Sequence, residues 1–545
     1  MSRVLLSLLP LALVSAAAPS PAPVFTPEAF RSHVTFLADD LLEGRDTGSR
    51  GHEIAARYVA SHFEALGLKP GGYKGGWYQQ VPFQKTRRGE TPGTLTLSGS
   101  RAAGKWTHGQ DVIIGINSLE PKTDLSAGIV FVGYGLSDKA LGIDDYKGLD
   151  VRGKIVVVLS GFPKGMPSEI GAHLSDHKAE QAEAHGAIGT ISIDTIQSAA
   201  ARPWSVRQRY ADGSHYDWVA PDGKPHVEAP GLRASASADD TVARALLAGA
   251  TQTLEQIRAE ADQQGGRPKG FALAGTVRIA AETVSERLTS PNVVGVLPGA
   301  DPKLAPEVVI LSAHLDHIGI SKARAGDPPN KDRINNGALD NASGIATMLE
   351  VARAAATAPV KPRRTLVFLA STAEEKGLLG ADYYAHFPTV PLASIVADVD
   401  LDMPLLIYPF TDVIAFGADH STLGKVVADA ARPMNIALSP DPMPEEGIFT
   451  RSDHYRFVEQ GIPAVFLATG YANGGEAAWK RFFANAYHQP ADDMNQPIDW
   501  TAGARFAEVN YRITRALADA DQAPRWYARD YFGDLFAPTA AKASH

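Results

Sequence analysis

Two periods of apolar spacing divide the chain. Thr26-Pro27-Glu28 places an N-cap before a proline at the first helical position and opens an amphipathic helix through Phe36 and Leu37. Ala55, Tyr58, Val59, Phe63 and Leu66 then recur at helical spacing and predict a second helix over 51–66, beyond the glycine-rich turn LLEGRDTGSRG. Short apolar runs predict strands at 112–116, 128–132 and 153–159, and a helical run over 176–186 leads into a further strand at 190–193. A polar loop over 207–230 interrupts this stretch. From Asn292 onward the rhythm changes: apolar runs at 293–297, 308–313, 365–370, 395–401 and 464–467 alternate with helical stretches. That alternation predicts an α/β fold, a mixed central sheet flanked by helices on both faces, with a smaller α/β or β-rich unit inserted before it.

Composition narrows the chemistry. With 545 residues and 44% hydrophobic positions the chain has material for more than one core. Fifty-two basic against 61 acidic residues give a net charge of -9 without any long block of like charges, so nothing calls for nucleic acid. Zero cysteines exclude disulfides, thiolate metal sites and cysteine nucleophiles, so any metal would be held by nitrogen and oxygen. At the N-terminus Arg3 precedes an apolar run over 4–14 and the small residues Ser15, Ala16, Ala17 and Ala18, the order of a signal peptide over 1–18. The run is shorter than the ~20 residues a bilayer needs and contains Pro10, so the expectation is cleavage, a periplasmic or secreted location and no stable membrane association.

In an open α/β sheet, ligands sit beyond the carboxyl ends of the strands. Those ends carry His314-Leu315-Asp316, Glu374-Glu375 and Asp400-Leu401-Asp402. Gly337-Ala338-Leu339-Asp340-Asn341 opens a helix running to about Ala356, whose N-terminal dipole favours an anion near Asp340. Arg451-Ser452-Asp453-His454 and Tyr487-His488 follow. Singly each is an ordinary surface acid, cap or loop histidine, and Asp340-Asn341 also suits plain helix capping. Together they gather like charges on one edge, which repel unless cations neutralise them. Two Zn²⁺ would do so, balancing Asp340, Glu375, Asp402 and one hydroxide, with His314 and His488 as neutral ligands.

The order of motifs resembles the co-catalytic di-zinc exopeptidases of the aminopeptidase type: SPNVVGVLPG, HLDH, GALDNASG, EEKGLLGA, DLDM, RSDHYRF followed by GIPA, and YHQPADD. The resemblance implies that His314 and Asp402 bind one zinc and Glu375 and His488 the other, with Asp340 bridging them. It further implies that Asp316 holds the His314 imidazole from behind and that Glu374 is the general base toward a metal-bridging water. Tyr487 is placed to hydrogen-bond the tetrahedral oxyanion. DLDM departs from the commonest pattern in having Asp400 where Asn is frequent. That adds an acid which, with Glu374, offers a seat for a substrate ammonium; the ligand is taken as Asp402. His317 and His454 are read as wall residues. The stretch over 125–275, through DVRGKIVVV and AEAHGAIGTISI, resembles a protease-associated domain inserted into such enzymes.

These readings imply a signal peptide (1–18), a discontinuous zinc peptidase domain (24–124 and 276–530), the insert (125–275) and a C-terminal tail (531–545). The expected function is removal of N-terminal residues from peptide substrates. Related alternatives are a glutamate-type metallocarboxypeptidase, which would need a cationic pocket to which Arg451 alone contributes, and a single-zinc glutaminyl cyclase. A receptor-like relative without metals is the non-enzyme alternative. Side-chain preference and oligomeric state are not legible in the sequence.

Overall fold

The computed structural model describes residues 23–323 and 326–545; the expected signal peptide lies outside the described residues. Strands β1 (Tyr78–Arg88), β2 (Phe271–Leu297), β3 (Val308–His314), β4 (Thr365–Ser371), β5 (Ile395–Asp400), β6 (Asp412–Phe416) and β7 (Ala464–Thr469) build the main sheet. Their spatial order is β1-β2-β4-β3-β5-β7-β6. The β4, β3, β5 and β7 neighbours are parallel, and the flanking β1–β2, β2–β4 and β7–β6 pairs are antiparallel. β3 and β7 are buried at every position, which is why they read as continuous apolar runs rather than alternating ones. Helices Pro27–Leu37, Ser343–Thr357 and Trp500–Asp519 pack on one another, the latter two also against β3, while His454–Glu459 packs on β5 and β7 beside Leu379–His386. The parallel strands all deliver their carboxyl ends to one rim.

The strands expected from residue 308 onward sit within two residues of the observed ones, the run at 293–297 is the end of the longer β2, and Thr26 caps the first helix by accepting from the Ala29 amide at 3.2 Å. The helical run expected over 176–186 is the helix Lys178–Ala184, and a further helix, Ser168–Asp176, precedes it and meets it at His177. β1 and β6 were not predicted. β2 differs most: it is 27 residues long and serves two sheets. Its second half pairs with β1 and β4, whereas its first half pairs with Thr94–Ser98 and Lys122–Phe131 in a second sheet that continues through Ile155–Leu159, Gly189–Ile193 and Ala234–Ala238.

That second sheet corrects the expected boundaries. Leu95, Leu97, Val112 and Ile114 share one core with Leu125, Ile155, Ile191, Val277 and Ile279, so the inserted unit starts near residue 94 rather than 125. No boundary falls at 276 either, because β2 runs through it. The loop over 207–230 is not free: His215–Trp218 adds to the edge of β1. The expected tail over 531–545 forms a helix, Tyr531–Phe536, whose Phe532 is fully buried in the main core. Among the described residues no helix is long and apolar enough to cross a membrane.

Candidate metal centre

β3 ends at His314, and its backbone continues through Leu315 and Asp316 to His317. His314 Nδ1 lies 3.1 Å from the main-chain carbonyl of Asp316, which leaves Nε2 facing the rim. Asp316 thus meets the imidazole through its main-chain carbonyl, while its carboxylate has other partners. It stands 4.0 Å from His314 Nδ1 and instead accepts from Thr47 Oγ1 at 3.1 Å and from the Glu374 backbone amide at 3.1 Å. The reason is local: the turn after β4 brings an unpaired N–H against a fully buried carboxylate, and that bond holds the Glu374-Glu375 turn in place. Ala373, at φ 58, makes that turn abrupt.

Asp340 sits ahead of the helix Ser343–Thr357, in an irregular turn over Ala338–Ala342, and the Asp340-Asn341 peptide is cis. Asp492 accepts from the Leu339 amide at 2.9 Å and the Asp340 amide at 3.0 Å. Asn341 ties the same turn to the end of β5: its Nδ2 donates to Leu401 O at 2.8 Å and its Oδ1 accepts from Met403 N at 3.1 Å. Gly337 is required here, since at φ +59 an added Cβ would lie 2.0 Å from Asp340 O and 2.8 Å from the His317 ring. Arg45, 1% exposed, donates to the carbonyls of Leu315, Asn336 and Gly337, bracing both rim loops.

The two carboxylate oxygens of Asp340 face opposite ways. Oδ1 lies 3.3 Å from His314 Nε2, which is 3.2 Å from Asp402 Oδ1. Oδ2 lies 3.3 Å from His488 Nε2, which is 3.3 Å from Glu375 Oε2. Ligand atoms about 2 Å from a tetrahedral ion are separated by roughly 3.3 Å, so each half has the spacing of a zinc site. The residues expected to divide between two metals are thus brought together in that division. His317 Nδ1 also approaches the second half, 2.6 Å from Glu375 Oε1, and His317, Asp340 and Glu375 form a compact ligand group. Glu375 Oε1 and both His317 ring nitrogens are buried without a hydrogen-bond partner among the described residues, as donors awaiting a cation would be.

Charge follows geometry. Burial opposes ionisation of Asp340, yet the surrounding His317, His314 and His488 hold it well below the usual carboxylate range. Burial also opposes charge on His488, but Glu375 and Asp340 raise it to about 9. Glu374 behaves oppositely: burial, together with the carboxylates of Asp402 and Glu375, pushes it well above its ordinary value against the pull of His314. Tyr487 stacks on His488 with ring centroids 3.9 Å apart and lines the same cavity as Glu374.

Asp400 is not a cavity acid. It is fully buried, accepting from Ser452 Oγ at 2.6 Å while Ser312 Oγ lies 3.1 Å away, and Ser452 also lies 2.7 Å from Asp402 Oδ2. It therefore buttresses Asp402 rather than offering a seat for a substrate ammonium. Sequence reasoning left Asp492, Ser452, Asn341 and Arg45 without roles. Three of them lie inside motifs already noticed, but their partners come from distant strand ends. Arg45 lies in the glycine-rich turn over 41–51, where nothing local marks its carbonyl partners.

Residues 292–514 match the sequence model of peptidase family M28. The matched segment spans 223 of the 545 residues. It begins where the apolar rhythm changes and contains every rim residue above. A probable zinc metalloprotease of Pyricularia oryzae is 33% identical over 328 residues, 53% of this chain and 62% of that protein. Leupeptin-inactivating enzyme 1 of Streptomyces exfoliatus is 28% identical over 241 residues, 42% of this chain and 49% of that protein. The alignments thus span about half to three-fifths of these curated relatives. An aminopeptidase from Aneurinibacillus sp. strain AM-1 superposes with a TM-score of 0.52 at 20% identity, covering 92% of this chain and 95% of that one, a likeness of fold. The inserted unit, with its core from Leu95 to Ile279, lies outside the M28 segment.

Proposed function

We propose that the chain is an exported zinc exopeptidase, an aminopeptidase that uses two zinc ions to hydrolyse N-terminal residues from peptides. The observation that carries this reading is the pair of ligand sets on opposite oxygens of Asp340, each at 3.2 to 3.3 Å spacing. His314, Asp340 and Asp402 would hold one ion, and Asp340, Glu375 and His488 the other. When bound, the ions supply Lewis acidity toward a carbonyl and toward water.

The chain's own residues do the rest. Glu374 takes a proton from the attacking water as the new C–O bond forms, then passes it to the amine nitrogen as the C–N bond breaks. The Tyr487 hydroxyl donates to the developing oxyanion. A cavity of about 510 Å³ joins Glu374, Asp402 and His488 to apolar walls from Ile414, Phe416, Ile448, Phe466 and Phe483, a fit for a large apolar N-terminal side chain. The inserted unit, which we read as protease-associated in type, brings Asp176, His177 and Glu228 to the rim of the same cavity and would tune access.

A panel of free and N-acetylated aminoacyl amides, together with C-terminal dipeptides, tests the reading with and without chelator. The expected outcome is turnover of the free amines alone, lost on chelation and restored by zinc. Equal turnover of acetylated substrates would overturn the aminopeptidase assignment.

A further inference from the structure

We propose that a second cavity beside the centre is a subsite for the peptide chain downstream of the scissile bond, so that substrate length sets the rate. The proposal deepens the aminopeptidase reading above and rests on it. This cavity, of about 400 Å³, lies between the inserted unit and the main sheet, and its ligand would be the main chain of an extended peptide.

Topology gives the direction. The apolar walls of the first cavity include Ile414 and Phe416 of β6 and Phe466 of β7, at one edge of the main sheet. The second cavity is lined by His215 and Tyr216, on the strand added outside β1, and by Lys376 and Leu379 just past β4, toward the other edge. A substrate with its N-terminal side chain among the β6 and β7 residues and its scissile carbonyl at the rim therefore continues toward β4 and the second cavity. Gly377, Glu228 and Arg456 line both cavities and mark where the two adjoin. Gly377 keeps that junction open, since an added Cβ would find no atom within 4 Å. Glu228 and Arg456 close it only loosely: their contact is 3.5 Å, the long limit of a hydrogen bond, and Glu228 is 46% exposed.

The lining gives the ligand class. Arg456 donates to Glu228 and to Glu459 through Nη1, and its Nε is buried without a partner among the described residues. A guanidinium whose charge is already met by two carboxylates, but whose other edge is unspent, suits a neutral peptide carbonyl better than a further anion. The acids of the second cavity are also taken up: Asp217 lies 3.0 Å from His215, and Asp382 accepts from Trp218 at 2.6 Å. Ser118, Thr190 and Ser235 add small hydroxyls that can bond a main chain without choosing among side chains. The expected selectivity is for length.

Rates of the zinc-loaded full chain on one aminoacyl amide, and on di-, tri- and pentapeptides with the same N-terminal residue, test this. kcat/KM is expected to rise at least ~10-fold from the amide to the pentapeptide, the size of one or two further main-chain hydrogen bonds. Ala179→Phe, in the helix Lys178–Ala184, puts a ring into the second cavity, and the rise with length should be lost. A measurement that depends on no cavity variant folding uses zinc-loaded Glu374→Gln, which would hold peptide without cleaving it. There a pentapeptide should slow hydrogen exchange along 116–119 and 226–233, and a dipeptide should not.

Equal kcat/KM for amide and pentapeptide in the unaltered protein, a rise kept intact in Ala179→Phe, or exchange unchanged along both segments would overturn the subsite and leave the aminopeptidase reading standing. No turnover of any free amine would overturn both.

Discussion

The two sheets that share β2 are built alike and end differently. Both contain parallel, buried, valine- and isoleucine-rich strands, and both place acids just past the carboxyl ends of those strands. In the inserted sheet each acid there is already satisfied. Asp194, after Gly189–Ile193, pairs with Arg207 and accepts from Ser198. Asp239, after Ala234–Ala238, caps a helix through the Val242 amide, and Asp240 binds Arg258 through both oxygens. In the main sheet the ion-pair partners of Asp340, Glu375 and Asp402 among the described residues are imidazoles. A strand-end acid is therefore not a functional signal by position; what separates the sheets is whether guanidinium and cap have closed the acid off or left it facing imidazoles.

Removing single groups sharpens this contrast most at Glu374. Glu374→Gln keeps shape and hydrogen bonding but cannot accept a proton at neutral pH. Turnover should fall by at least ~10² to 10⁴, the range for losing a general base, with zinc content unchanged. Glu375→Gln should instead lose zinc, and activity with it. Elemental analysis alongside initial rates distinguishes the two, and the reverse pattern would mean that the adjacent carboxylates are exchanged in role. A smaller effect is expected one layer back. Ser452 joins Asp402 to buried Asp400, so Ser452→Ala should free the Asp402 carboxylate to rotate and weaken zinc on the His314 side by about 10–100-fold, measured by competition with a chromophoric chelator.

The same contrast explains what was legible in the sequence. Val308–His314 and Ala464–Thr469 are buried on both faces, so they stand out as apolar runs, and the rim residues follow them at short, fixed distances. β1 and the middle of β2 pair with each other over eleven positions, yet Thr283 to Arg287 is largely exposed and polar, so no apolar period marks the strand. The boundary error at 125 has the same source: Leu95 and Leu97 sit on a short strand with threonine between them and acquire meaning only through Val277 and Ile279, far along the chain. Among site residues, those on the chain next to a strand end were readable, whereas the Asp316 carboxylate could not be assigned to the Glu374 amide without knowing how β3 and β4 lie side by side.

On the inserted side the expected consequence is stability without chemistry. Asp194→Asn leaves the Arg207 guanidinium partly buried against a neutral partner and should cost about 1–3 kcal/mol in chemical denaturation of that unit, with zinc content and rates on small aminoacyl amides unchanged. Loss of zinc in this variant would break the comparison, since it would make the inserted strand ends part of the centre.

The smallest effect concerns the contact between the two units, where two histidines are gripped by carboxylates from both sides. His420 lies 2.6 Å from Asp530 and 2.7 Å from Glu169 of the inserted helix Ser168–Asp176; His177 lies 2.6 Å from Glu180 and 3.2 Å from Glu459, which also binds Arg456. Burial opposes charge on both rings, but the carboxylates prevail and raise His420 to about 9 and His177 to about 10. Because the folded value lies above the unfolded one of about 6.5, the stabilisation is complete below that pH and fades as pH rises through 9 to 10. Hydrogen exchange along Ser168–Asp176 should therefore quicken, beyond its intrinsic base catalysis, between pH 7 and 10, while helix Ser343–Thr357 beneath the rim stays protected. In His420→Gln part of that dependence should vanish because the protection is already reduced at pH 7. Equal loss of protection in both helices would mean that the inserted unit and the catalytic sheet open together, and that the division drawn between them at β2 is one of chemistry alone and not of stability.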